Sequence, residues 1–109
     1  MAARYTVEWA EPALLDAEAI VDYLVAEGSE RAAAGLIDKI EAATRKLSKL
    51  PDRGRVVPEL RREGIQSYRE VILKPYRLVY RVSGDLVVVV AFVDGRRDLG
   101  ELLIARAMR

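Results

Sequence analysis

The 109-residue chain has no cysteine and no histidine, and only 6% of it is aromatic. Without cysteine there is no disulfide framework and no thiolate metal site. Without histidine, the usual general base near neutral pH, the commonest transition-metal ligand and the standard nucleophile triads are missing too. Any catalysis has to run on Asp, Glu, Lys, Arg, Tyr, Ser or Thr. Long apolar runs are also absent: the longest, Leu86–Val93, falls far short of the ~20 residues of a membrane-spanning helix. No apolar stretch of export-signal type opens the chain, so the expected location is the cytoplasm. Acidic residues are scattered and no glycine-rich loop follows a strand, so neither a metal nor an organic cofactor is expected.

What is present is a chain 51% hydrophobic and 32% charged, long enough for one small domain over residues 1–109. The formal net charge of +1 conceals an asymmetry. Residues 1–52 hold six Lys/Arg against ten Asp/Glu, a balance of −4; residues 53–109 hold twelve against seven, a balance of +5. Such a lopsided distribution suits an anionic partner for the second half, with a solvated basic surface as the alternative. Arginine outnumbers lysine fourteen to four, and its planar fork fits phosphate and carboxylate.

Residues 4–9 alternate polar with apolar, which predicts a strand with Tyr5, Val7 and Trp9 on its buried side. Pro12 suits a first helical turn; Ala13, Ala17, Ile20, Val21 and Leu24 follow at helical spacing, and Gly28 ends the segment. Ser29 is placed to cap a second helix running to about Leu50, with Leu36, Ile40, Ala43, Leu47 and Leu50 as its stripe and Pro51 as its stop. Pro51 to Pro58 reads as a loop. Strand patterns resume at Ser67–Leu73, Tyr76–Val82 and Leu86–Val93, the last apolar on both faces and so an interior strand. A basic segment, Asp94–Asp98, opens a short amphipathic tail. The predicted class is α+β: an N-terminal strand, a helical hairpin, then a three-stranded antiparallel meander, with the helices on one face of the sheet.

If Lys74-Pro75 is a two-residue turn, Leu73 pairs with Tyr76 and Ile72 with Arg77. Arg69, Val71, Leu73, Tyr76, Leu78 and Tyr80 then lie under the helices. Tyr68, Glu70, Ile72, Arg77, Val79 and Arg81 share the other face, which on this reading is an exposed, charged and partly aromatic platform.

The stretch Tyr68-Arg69-Glu70 … Pro75-Tyr-Arg-Leu-Val-Tyr-Arg-Val82, with Leu50-Pro51-x-x-Gly54-Arg55 before it and Gly95-Arg-Arg-Asp98 after it, resembles the RelE/ParE superfamily of bacterial toxins. The Val7-Glu8-Trp9 strand and the Leu47-x-x-Leu50-Pro51 helix end fit as well, so the resemblance spans essentially the whole chain. In the RelE-like branch, mRNA endoribonucleases acting on the ribosome, it implies Arg77 and Arg97 as phosphate-contacting arginines and Glu70 as a carboxylate base. Tyr68 and Glu70 stand where that branch carries lysines, however, and Leu103 stands where its C-terminal tyrosine acts. The long hairpin, the Leu-Pro-x-x-Gly-Arg loop and the tail are more similar to the ParE-like branch, inhibitors of DNA gyrase that do no bond chemistry, for which no catalytic residue is expected. The surface for target or antitoxin is then Tyr68, Arg77, Arg81, Arg96 and Arg97, with the segment to Met108. The resemblance also implies a cognate ParD/RelB-like antitoxin whose flexible segment covers the toxin. Direct nucleic-acid contact and a partner-binding member without toxicity stay open, as does a purely structural role for Arg77 and Arg97 in ion pairs with Glu70, Asp94 or Asp98.

Overall fold

The computed structural model describes residues 4–108. Nine elements follow one another: β1 (Thr6–Trp9), α1 (Glu11–Ala26), α2 (Glu30–Lys49), β2 (Arg55–Val56), α3 (Pro58–Arg61), β3 (Tyr68–Leu73), β4 (Tyr76–Ser83), β5 (Leu86–Asp94) and α4 (Gly100–Ala107). Pro12 sits in the first turn of α1, where its missing N–H costs nothing. At the other end Gly28 takes φ +78°, and the Gly28 and Ser29 N–H groups donate to the carbonyls of Val25 and Leu24. That is a Schellman stop, which needs a residue free to adopt the left-handed region. Ser29 holds the N-cap position of α2, but its hydroxyl makes no capping bond; only its carbonyl serves, accepting from Ala33.

The five strands form one sheet in the order β1-β5-β4-β3-β2. β3 and β4 pair as the two-residue turn requires, Leu73 with Tyr76 and Ile72 with Arg77, and the Lys74–Pro75 peptide is cis. β1 runs parallel to β5 at one edge. The short β2, inside the stretch expected to be loop, closes the other.

The first core lies between the α1–α2 hairpin and one sheet face, with Leu36, Leu47, Leu78, Tyr80, Val87 and Phe92 at its centre. Trp9 and Tyr76 pack on Phe92 with ring centroids 6.0 and 5.4 Å away. The expectation of helices on one face only has to be corrected. Tyr68, Val79, Ala91 and Val93 make the opposite face apolar as well, and α3 and α4 cover it with Leu60 and Leu103, helped by Val57 and Leu99. An apolar sheet face left in water would forfeit roughly 25 cal/mol for each Å² that these two short helices bury.

β5 changes phase partway. Val79 pairs with Ala91 but Tyr80 with Val89, so Val90 is the extra residue of a bulge. The bulge turns Phe92 toward the first core and Ala91 and Val93 toward the second. Its free backbone groups are taken up by a clasp between the first and last helices. The Asp16 carboxylate accepts from the Phe92 N–H at 3.0 Å. Arg106 donates to Asp16 at 2.9 and 3.0 Å and to the Val90 carbonyl at 2.8 Å. Arg106→Ala should cost about 1.5–3 kcal/mol, the range for hydrogen bonds to charged groups. It should also raise amide exchange across α4 at least tenfold; unchanged α4 protection would mean that the clasp does not hold the helix.

Candidate functional site

Register places Glu70 of β3 and Arg77 of β4 on the face covered by α3. Arg77 donates its Nε–H to Glu70 at 2.6 Å and uses both terminal nitrogens on Glu59 of α3, at 2.6 and 2.7 Å. The second oxygen of Glu70 accepts from Arg55 of β2 at 2.6 Å. Glu70 is 1% exposed and Arg77 7%. Two cations and two carboxylates thus close into a neutral, largely buried chain that joins β2, α3, β3 and β4. The Arg77 guanidinium faces a carboxylate on each donating edge, and both Glu70 oxygens are occupied. Both groups are thus engaged within the protein and almost closed off from solvent.

The Glu59 carboxyl is held at about 2, against 4.5 ordinarily, chiefly by its hydrogen bonds from Arg77. The two carboxylates around Arg77 in turn raise its pKa above the usual arginine range. A carboxyl whose folded pKa lies below its unfolded value contributes stability that is complete above the unfolded value and fades as the pH falls. Unfolding free energy should therefore drop between about pH 4.5 and 2, and Glu59→Gln should flatten that drop. Denaturant titrations at stepped pH measure it; equal slopes in both proteins would remove Glu59 from the account.

The loop before β2 is tied down from beneath. The Tyr80 hydroxyl donates to the Pro51 carbonyl at 2.6 Å and accepts from the Gly54 N–H at 3.0 Å, and burial pushes its pKa up. Arg69 donates to the Gly54 carbonyl at 2.8 Å. Across the sheet end, Arg55, Lys74, Arg77 and Arg96 line a cleft of about 290 Å³ floored by Ile72 and Gly95. Its cations are mostly neutralised. Arg96 is clamped by Asp94 at 2.6 Å, which lowers the Asp94 pKa to about 2, and of the four only Lys74 pairs with no carboxylate among the described residues.

The expected platform is therefore not a platform. Tyr68 and Arg77 are buried beneath α3 and α4, because the apolar residues flanking them demanded a cover. Arg81 is half-buried, and Arg96, Arg97 and Met108 are exposed. The ion-pair alternative describes Arg77, whereas Asp94 pairs with Arg96 and leaves Arg97 unpaired among the described residues. Leu103 is 1% exposed, a plug in the second core. Surface charge in the second half comes instead from Arg53, Arg61, Arg62, Lys74, Arg81 and Arg97, none of which pairs with a carboxylate among the described residues. Among those residues no cluster of acidic side chains is arranged to hold a metal ion, and no helix is long and apolar enough to cross a membrane.

Sequence reasoning missed Glu59 and Arg55, which sit on elements too short to show a period. The hairpin also presents apolar surface to solvent. α1 is apolar on nearly every side, and Leu14, Leu15 and Tyr23 are 47, 55 and 64% exposed. Trp9, Leu14, Val21, Ile37 and Ile40 enclose an apolar hollow of about 460 Å³ between the two helices and β1. The visible signal was the composition of α1: Ala-Leu-Leu and Ile-Val with Tyr-Leu-Val cannot all face one core.

The family described as "ParE toxin of type II toxin-antitoxin system, parDE" matches residues 7–99. Toxin ParE3 of Caulobacter vibrioides is 32% identical over 73 residues, 67% of this chain and 69% of that protein. A chain of the chromosomal ParDE toxin–antitoxin system from P. aeruginosa superposes with a TM-score of 0.69 at 19% identity, over 84% of this chain and 97% of that one. A chain of the toxin–antitoxin complex RelBE2 from Mycobacterium tuberculosis gives 0.61 at 23% identity, over 86% of this chain and 94% of that one. With residues 7–99 matched to it, the chain belongs to the ParE toxin family of type II toxin–antitoxin systems.

Proposed function

We propose that this toxin acts in the cytoplasm by binding rather than by bond chemistry, that DNA gyrase is its target, and that a cognate ParD-like antitoxin holds it inactive. The observation that carries the reading is the state of Arg77. An arginine that is to stabilise a scissile phosphate must offer free N–H groups to developing charge. Here three of the five N–H groups are engaged by Glu59 and Glu70, and Arg77 itself is only 7% exposed. Leu103, which stands where the RelE-like branch carries its C-terminal tyrosine, is equally inaccessible. The remaining contact groups are Arg81, Arg96 and Arg97 with the segment to Met108, on the basic half of the chain. The exposed hairpin apolar surface supports the antitoxin part of the reading, since an amphipathic segment laid on such a surface removes it from water.

The test is a gyrase supercoiling and DNA-cleavage assay with the purified chain, run beside a ribosome-dependent mRNA cleavage assay. Loss of supercoiling with accumulation of cleaved DNA, and intact mRNA, is the expected pair of results. An untouched gyrase at large toxin excess overturns the target. Cut mRNA that becomes intact again with Arg97→Ala overturns the binding mechanism.

A further inference from the structure

The apolar hollow between α1, α2 and β1 does not end at Ile37 and Trp9. Along α2, Thr44, Arg45, Ser48 and Lys49 continue the side begun by Ile37 and Ile40, at helical steps of three and four. β1 runs beside them in the opposite sense, Trp9 near Ile40, Val7 near Thr44 and Tyr5 bonded to Ser48 at 2.8 Å. The second hollow, about 310 Å³, thus lies in line with the first, further along α2 and β1. Charge divides the combined groove. The hairpin end is rimmed by Glu18, Asp22 and Glu41. The far end is rimmed by Arg4, Arg45 and Lys49. None of these six pairs with an opposite charge among the described residues. The backbone contributes as well: Thr6 and Ala10 donate toward the β5 side, so the N–H and C=O of Val7 and Trp9 face away from the sheet at an edge that no strand among the described residues covers.

We propose that this groove takes a peptide segment of bipolar charge: apolar in the middle, with lysine or arginine at the end lying over Glu18, Asp22 and Glu41, and aspartate or glutamate at the end lying over Arg4, Arg45 and Lys49. The occupant is the wrapping segment of the antitoxin, so the inference rests on the antitoxin reading and adds the chemistry that selects one antitoxin and fixes its direction. An acidic segment, which the basic half of the chain would suggest, meets three carboxylates at the hairpin end. Apolar contact supplies affinity; unpaired rim charges of opposite sign set specificity and register.

Three synthetic peptides with one shared apolar centre test this, bearing two lysines and two glutamates at opposite ends, glutamates at both ends, or lysines at both ends. Fluorescence anisotropy with the full chain should show the mixed-end peptide binding about tenfold tighter than either other, a gap that narrows in 0.5 M salt, roughly a 4 Å screening length. Glu18→Lys/Asp22→Lys/Glu41→Lys, all on exposed or half-exposed positions, should move the preference to the acidic-ended peptide, with circular dichroism confirming the fold. Equal binding of all three peptides overturns the proposal, as does a wild-type preference for acidic ends. The readout involves neither gyrase nor growth arrest. If the peptide preference holds while co-purification with the cognate antitoxin fails, the antitoxin reading falls and the groove's selectivity stands.

Discussion

Arg77→Met should destabilise the protein by about 3–5 kcal/mol, the cost of removing one partner from a buried ion pair. The size follows from what stays behind. Glu70, 1% exposed, keeps only Arg55, whose side chain is 60% exposed and well solvated. Glu59 loses both its short bonds at once. Loss of a cationic surface residue would give a much smaller number, about 0–1 kcal/mol, so the measurement separates a structural arginine from a solvent-facing one. Urea unfolding with an unchanged m-value is the appropriate reading. A triple variant, Glu59→Gln/Glu70→Gln/Arg77→Met, should recover a large part of the loss, because it removes the orphaned charges together with their partner. A single-variant loss below about 1 kcal/mol would show a network screened by water and would reopen Arg77 as a phosphate ligand.

Gly54→Ala is expected to cost about 3 kcal/mol, from overpacking and a lost buried hydrogen bond. The glycine is not there for its backbone: positive φ occurs among the described residues at Gly28, Gly64 and Gly84, not at Gly54. It is there for closeness. An added Cβ would lie 2.6 Å from the Glu70 carbonyl oxygen and 2.7 Å from the Tyr80 hydroxyl. The first is strand backbone and the second is held by Pro51, so neither can retreat without loosening the β2–β3 edge. Gly28→Ala is the useful contrast. Its φ is +78° but its surroundings are open, so it should lose only about 1 kcal/mol of left-handed strain. If both variants melt alike, the Gly54 contacts are not what requires glycine there.

Much of the architecture was legible because its signals are periodic. The α2 stripe, the alternation in β1 and the two-residue turn that set Leu73 against Tyr76 each repeat a pattern over several residues. The second layer was not, because its apolar residues are divided between a four-residue helix and the tail, Leu60 in one and Leu103 in the other. No window holds enough of them to show a period. The site was half legible. Glu70 and Arg77 lie in adjoining strands of a readable hairpin, so their pairing could be weighed; Glu59 and Arg55 reach them only through tertiary packing. Exposure was the harder quantity. Tyr68 and Arg77 were assigned to the right face, and what covered that face could not be read from the strands themselves.

The bulge at Val90 answers a counting problem. Val87 to Val90 are four identical residues in a row, and a strand made of them carries no chemical mark that says which valine belongs where. Sliding by two still leaves valine at two of the four places. Two charged side chains, 90 residues apart in the chain, supply the missing mark by reading backbone positions rather than side chains: Asp16 finds the Phe92 N–H and Arg106 the Val90 carbonyl. The strand is thus measured from outside, as with a ruler. It follows that lengthening or shortening the valine run by one residue would be a far graver change than replacing any single valine, since every residue beyond the insertion would be read one position off and Phe92 would leave the core that Trp9 and Tyr76 build around it.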